Sequence, residues 1–168
     1  MISCNLARAL VRCGARVLLA CLAAGCGHYS FTGARPPGIA SIAIPVFDDQ
    51  SGEFQIREQL TNRIVERFLT DNNLRVEPPE SADSILRGVI LRVEYNPVAL
   101  GADERAQQFE LYIYAQVRYE NQRTHAVLFE ERLNGRGVFD DPAGREDGIT
   151  LAIEKLSEDV LNNVISGW

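Results

Sequence analysis

The side chains able to do chemistry are few, and their spacing does not assemble an active site. The two histidines are His28 and His125. Neither has a partner at metal-ligand spacing, and any Cys–His or Ser–His–Asp set would have to use one of them. Each is read as a solvated polar side chain. Gly135-Arg136-Gly137 is too little for a phosphate-cradling loop. Asp48-Asp49 and Asp140-Asp141 offer the hard oxygen donors that calcium takes, yet acidic loop tips are ordinarily just hydrated, and no metal is expected. Tyr112 and Tyr114 suit stacking on a sugar or packing against a partner, but tyrosine is also an ordinary strand former. This inventory excludes the familiar enzyme classes, and neither catalysis nor a cofactor is expected.

One thiol has a telling context. Leu22-Ala23-Ala24-Gly25-Cys26 closes a short apolar run, Val17-Leu18-Leu19-Ala20-Cys21, which follows Arg8, Arg12 and Arg16. A basic start, a short apolar stretch and small residues before a cut describe a secretory signal, too short for a spanning helix. A cysteine directly after the small residues resembles a bacterial lipobox. That resemblance implies cleavage before Cys26, an S-diacylglycerol on its sulfur and an acyl chain on its amine. Residues 1–25 are then the signal peptide, 26–38 the lipid anchor and tether, and 39–168 the folded domain.

Cleavage there leaves 143 residues, enough for one domain with its own core. Cys4, Cys13 and Cys21 leave with the leader, so no internal disulfide is available and stability must come from packing. The leader also removes three arginines and no acid, which moves the formal net charge from −6 to −9. Bulk attraction to nucleic acid or to an anionic membrane surface is thereby disfavoured. An anionic ligand would need a local cluster of arginines.

Periodicity supplies the elements that must position any site. Ile39 to Phe47 alternates, with Ile42, Ile44 and Val46 on one face, and Pro45 should sit at an edge or near the strand end. Asp48 to Gly52 reads as a loop. Ile56, Leu60, Ile64 and Phe68 fall four apart within Phe54 to Asp71, an amphipathic helix that Asn72-Asn73 stops. Ile85 to Tyr95 alternates next, with Ile85, Val89, Leu91, Val93 and Tyr95 facing one way. Gln107 to Glu120 does so more clearly, with Phe109, Leu111, Ile113, Ala115 and Val117 opposite Glu110, Tyr112, Tyr114, Gln116 and Arg118. A turn at Asn121 to Thr124 leads into a last strand, Ala126 to Asn134, with Val127, Phe129 and Leu133 inward. Gly135 to Gly144 is expected to be a loop. Glu146 to Ser166 forms the closing helix, capped by Gly167.

The order β-α-β-β-β-α predicts an α+β two-layer sandwich, a mixed four-stranded sheet with both helices on one face. The other face would carry Arg92, Glu94, Glu110, Tyr112, Tyr114, Arg118, Glu130 and Arg132, uncovered by the chain's own helices. Arg92, Tyr112, Tyr114, Arg118 and Arg132 are the candidate ligand or partner residues on that face.

With these residues in view, the chain resembles the LptE family, lipoproteins that assemble lipopolysaccharide in the outer membrane. Cys26-Gly27-His28-Tyr29-Ser30-Phe31-Thr32-Gly33 carries the resemblance at the mature start. It continues through Pro37-Gly38-Ile39, Ile44-Pro45-Val46-Phe47, Ser51-Gly52, Leu60-Thr61 and Phe68. Leu86-Arg87-Gly88, Val117-Arg118-Tyr119, Phe139-Asp140 and Trp168 complete it. Asp49 departs from the Asn expected there. The resemblance implies an outer-membrane, lipid-anchored protein that plugs the β-barrel of an LptD-like translocon and supports its assembly. It also implies no catalysis and no cofactor, and some family members bind lipopolysaccharide. Ile44-Pro45-Val46-Phe47 with Ser51-Gly52 and the following helix is similar, as well, to the opening of CsgG-like and TolB N-terminal-like domains, which implies a secretion-ring subunit or adaptor instead. A homo-oligomeric ring or an integral barrel partner separates the two.

Overall fold

The computed structural model describes residues 38–53, 55–100, 106–140 and 142–166. The signal, the Cys26 anchor and the tether up to Pro37 lie outside the described residues, as do Phe54, Asp141, Gly167 and Trp168. The described chain runs β1 (Ser41–Ala43), β2 (Asp48–Asp49), α1 (Ile56–Asp71), β3 (Arg75–Val76), β4 (Ser84–Leu100), β5 (Ala106–Asn121), β6 (Val127–Phe139), a 3₁₀ turn at Pro142–Gly144 and α2 (Arg145–Ser166). Among the described residues no helix is long and apolar enough to cross a membrane.

Among the described residues the fold is α+β with two helices and a mixed open sheet, but the sheet has six strands rather than the expected four. The order is β3-β1-β4-β5-β6, with β2 also on β4. The two extra strands have identifiable causes. The first expected strand, Ile39 to Phe47, is cut short as β1 at Ala43, and a separate strand, β2, forms at Asp48, where a loop was expected. Both strands pair parallel with β4, Ile42 opposite Ser84 and Asp48 opposite Val89. Between them Pro45 has no ladder donor to give, and the Phe47 N–H turns instead to Thr61 Oγ1 on α1, at 3.0 Å. That excursion sends the Phe47 ring into the space above Gly88, where any Cβ would overlap it. Val46, expected inward with Ile42 and Ile44, is left 58% exposed. The second extra strand, β3, is a short parallel partner of β1, Ser41 opposite Arg75.

The helices form where the apolar spacing puts them. Ile56, Leu60, Ile64 and Phe68 on α1 are buried, as are Ile149, Ala152, Ile153, Leu156, Val160 and Val164 on α2. They share one core with Leu111, Ile113, Ala115, Val117 and Tyr119 of β5, so both helices cover the same face of the sheet. Asn72, in the left-handed region at φ 56°, ends α1 and donates its N–H to the Phe68 carbonyl at 3.0 Å. Arg67 ties the helices together, with Nε donating to Ser157 Oγ at 2.7 Å and NH2 pairing with Glu154 at 2.6 Å. Arg63 pairs with the same carboxylate.

Two expectations about strand faces are corrected. β4 carries a bulge between Ile90 and Arg92, and a bulge exchanges the faces on either side of it. Leu86 and Ile90 therefore face the helices before it, and Val93, opposite Ile113, does so after it. Val89, opposite Gln116, points the other way. In β6 the irregularity falls at Leu128, which leaves Val127 45% exposed rather than inward.

The expected loop from Gly135 is strand as far as Phe139. Its glycines are there for close approach. A Cβ on Gly135 would overlap the Ala152 carbonyl oxygen, and one on Gly137 the Gly148 carbonyl oxygen, so α2 lies directly on bare strand backbone.

Candidate functional site

The sheet face away from the helices is built by cross-strand register. Partners in an antiparallel pair point to the same side, so Arg92–Tyr114–Asn134 forms one row across β4, β5 and β6, and Glu94–Tyr112–Arg136 the next. Toward the other end lie Val89–Gln116–Arg132 and Arg87–Arg118–Glu130. Arg92, Tyr112, Tyr114, Arg118 and Arg132 are thus brought together on one face. Arg87, Glu120 and Arg136 join them, although the sequence pattern did not single them out. Arg136 sat in the expected loop, and only its pairing opposite Tyr112 puts it here.

The face is laced by ion pairs and ring contacts. The Arg92 guanidinium lies 3.9 Å from the Tyr114 ring centroid, close enough for a cation–π contact, and Nε donates to Glu94 at 2.5 Å. Tyr112 and Tyr114 stack with centroids 6.1 Å apart. The Tyr112 hydroxyl donates to Glu110 at 3.0 Å, and Arg136 pairs with the same carboxylate. Arg118 bridges Glu130 at 2.8 Å and Glu120 at 3.1 Å, and Arg87 completes that cluster on Glu120. Arg132 bonds the neutral amide oxygen of Gln116 at 3.3 Å.

These contacts hold the carboxyls in their charged form. The Arg92 hydrogen bond lowers the Glu94 pKa, Arg136 lowers that of Glu110, and Arg118 lowers that of Glu120, each against a desolvation cost. The Glu110 bond in turn raises the Tyr112 phenol. Exposed ion pairs stabilise a fold little. Their collective effect is to preset a polar, nearly charge-balanced surface with two rings in fixed positions.

Elsewhere the chemistry is structural. Asp83 accepts the Ala40 N–H at 2.9 Å and the Ser41 hydroxyl at 3.2 Å, and pairs with Arg123 from the β5–β6 turn. Arg145 at the start of α2 pairs with Glu53 at 2.6 Å and lies 4.9 Å from the Tyr95 ring centroid. His125 is an exposed turn residue at φ 57°. Among the described residues no group of three His, Cys, Asp or Glu side chains is placed to hold a metal. A groove of about 680 Å³ on the helix side is lined by Arg63, Arg67, Leu69 and Leu161, away from the open sheet face.

A family model for lipopolysaccharide assembly, LptE, matches residues 39–164. No curated protein sequence matches the chain. Solved structures share the fold at low identity. A lipoprotein B from Nitrosomonas europaea is 18% identical, with a TM-score of 0.52 over 85% of this chain and 92% of that one. A protein from Xanthomonas campestris is 13% identical, with a TM-score of 0.58 over 79% and 90%. PelC from Paraburkholderia phytofirmans, solved as a dodecamer, is 13% identical, with a TM-score of 0.55 over 79% and 96%. At such identities the likeness concerns the fold alone.

Proposed function

Because the chain belongs to the LptE lipopolysaccharide-assembly family, we propose that it is an outer-membrane lipoprotein whose folded domain fills the lumen of an LptD-like β-barrel and supports that barrel's assembly. Cys26 carries the lipid in this reading, since the signal and lipobox pattern end there. Three acyl chains would hold it firmly, because each buried CH₂ contributes about 0.8 kcal/mol and a single chain binds only marginally. The role is one of docking and passage rather than catalysis.

The observation that carries the reading, beside the family, is the open sheet face. A barrel lumen is polar and wet, and a plug therefore needs hydrogen-bonding and charged side chains on its outward surface. Arg92, Tyr112, Tyr114, Arg118 and Arg132 supply them on one face. Their charges are matched by Glu94, Glu120 and Glu130, so the surface is polar without being strongly cationic. Direct binding of lipopolysaccharide, an anionic lipid, would rest on these arginines and would weaken with salt. Arg132 is the best placed of them, as it bonds a neutral amide rather than a carboxylate.

Extraction in mild detergent, with identification of what comes down, tests the reading. An integral β-barrel in stoichiometric amount is expected, and depletion of the protein should leave that barrel misassembled and the cell surface short of lipopolysaccharide. Normal barrel assembly and normal surface lipopolysaccharide after depletion would sink it. A homo-oligomeric ring with no barrel would favour the secretion-ring alternative.

A further inference from the structure

Edge strands ordinarily protect themselves by being short, by proline or by a bulge. At one end of this sheet β3 has two residues. At the other end β6 has 13 and no proline. Its one irregularity is at Leu128, so Phe129 to Phe139 is a regular run, and no described strand pairs with its outer edge. That run is a template for another strand.

We propose that this edge is a self-pairing surface. Two copies of the chain join β6 to β6, antiparallel, about a two-fold axis at Leu133, and the sheet continues across both. Charge selects the occupant and the register. In a symmetric antiparallel pair, side chains match face to face only at every second register. Centring on Leu133 sets Glu130 opposite Arg136 of the second copy, twice by symmetry. It also sets Arg132 opposite Asn134. Centring one residue earlier places Arg132 against Arg132, and one residue later places Arg132 against Arg136. Like charges directly opposite are unfavourable.

Glu130 and Arg136 both lie on the open face, where Glu130 already meets Arg118 and Arg136 already meets Glu110. The centred register therefore joins the two ion-pair networks into one alternating series, Arg118–Glu130–Arg136–Glu110, running from copy to copy. No other strand is needed to explain the complementarity, because both halves of it reside in β6.

Sedimentation velocity tests this on the full chain, produced without a barrel and held in a neutrally buoyant detergent. The unsubstituted protein is expected to dimerise. Glu130→Arg and Arg136→Glu, each alone, should self-associate roughly tenfold or more weakly, since each sets like charges across the axis at both ends. Mixing the two variants should restore the dimer, because only the mixed pair places opposite charges at both ends. Amide exchange on the unsubstituted protein gives a second measurement, with exchange across Phe129 to Gly137 slowing as concentration rises. A monomer at all soluble concentrations overturns the proposal. So do variants that dimerise as well alone as mixed, or exchange in β6 that ignores concentration.

Discussion

The Ala152 carbonyl oxygen on α2 occupies the position that a Cβ on Gly135 would take. Gly148 stands in the same relation to Gly137 one helical turn earlier. The obstructing atoms are backbone, so neither element can yield without moving the helix. Gly135→Ala and Gly137→Ala are each expected to destabilise the domain by about 1–3 kcal/mol, the usual cost of overpacking. Gly144→Ala is the control, as its Cβ would meet only Phe139 at 3.5 Å, and a change within about 0.5 kcal/mol is expected there. Urea unfolding of the three variants measures the contrast.

Leu60 and Leu156 are fully buried, one on each helix, in the same core. Truncating either to Ala should cost about 2–5 kcal/mol. Calorimetric melting gives the answer, and losses typical of surface substitutions at both sites would mean that the helices do not share this core.

Acid should loosen the start of the sheet. The Ala40 N–H, and after it Arg123, hold the Asp83 carboxyl below the usual carboxylate range, although burial pushes it up. Arg63 and Arg67 do the same for Glu154 between the helices. A folded pKa below the unfolded one means stabilisation that is fully present above the unfolded value of about 4 and is lost as pH falls through the folded value. Asp83→Asn should therefore lower stability near neutral pH and shrink its decline on acidification. Urea midpoints followed from neutral pH down to about pH 3 check the sign, and a decline as steep as in the unsubstituted protein would remove Asp83 from the account.

Reversing Arg92, Arg118 and Arg132 together to Glu is expected to impair docking in the barrel or lipopolysaccharide transport while leaving the domain folded. Arg92 and Arg132 are exposed and Arg118 half-exposed, and the ion pairs of Arg92 and Arg118 contribute little to the fold, whereas carboxylates would then crowd Glu94, Glu120 and Glu130 on the outward face. Barrel co-purification and surface lipopolysaccharide are the readouts, with circular dichroism as the check on folding. Unchanged docking and transport would dissociate this face from the function.

Much of the candidate face was legible because β5 alternates without interruption. Glu110, Tyr112, Tyr114, Gln116 and Arg118 fall on one side by a period of two, and Arg92 and Arg132 follow as cross-strand neighbours. Arg136 was not legible. It lies between two glycines, and glycine between strands reads as a turn until something is seen to press against it.

Local signals in the chain were enough for both helices, through a four-residue apolar spacing, for the stop at Asn72 and for the two faces of β5. The rest waited on contacts between distant parts of the chain. Whether Gly135 and Gly137 are loop or strand depended on α2 arriving from later in the chain to fill the missing side-chain volume. Whether Ile39 to Phe47 stayed one strand depended on Thr61 offering the Phe47 N–H another partner and on Gly88 leaving room for the ring. The exchange of faces at Leu91 followed from pairing with β5, since a bulge is a mismatch between two strands and is written in neither one alone. Periodicity records which side of an element is apolar. It does not record which distant backbone will lie close enough to require that a side chain be absent.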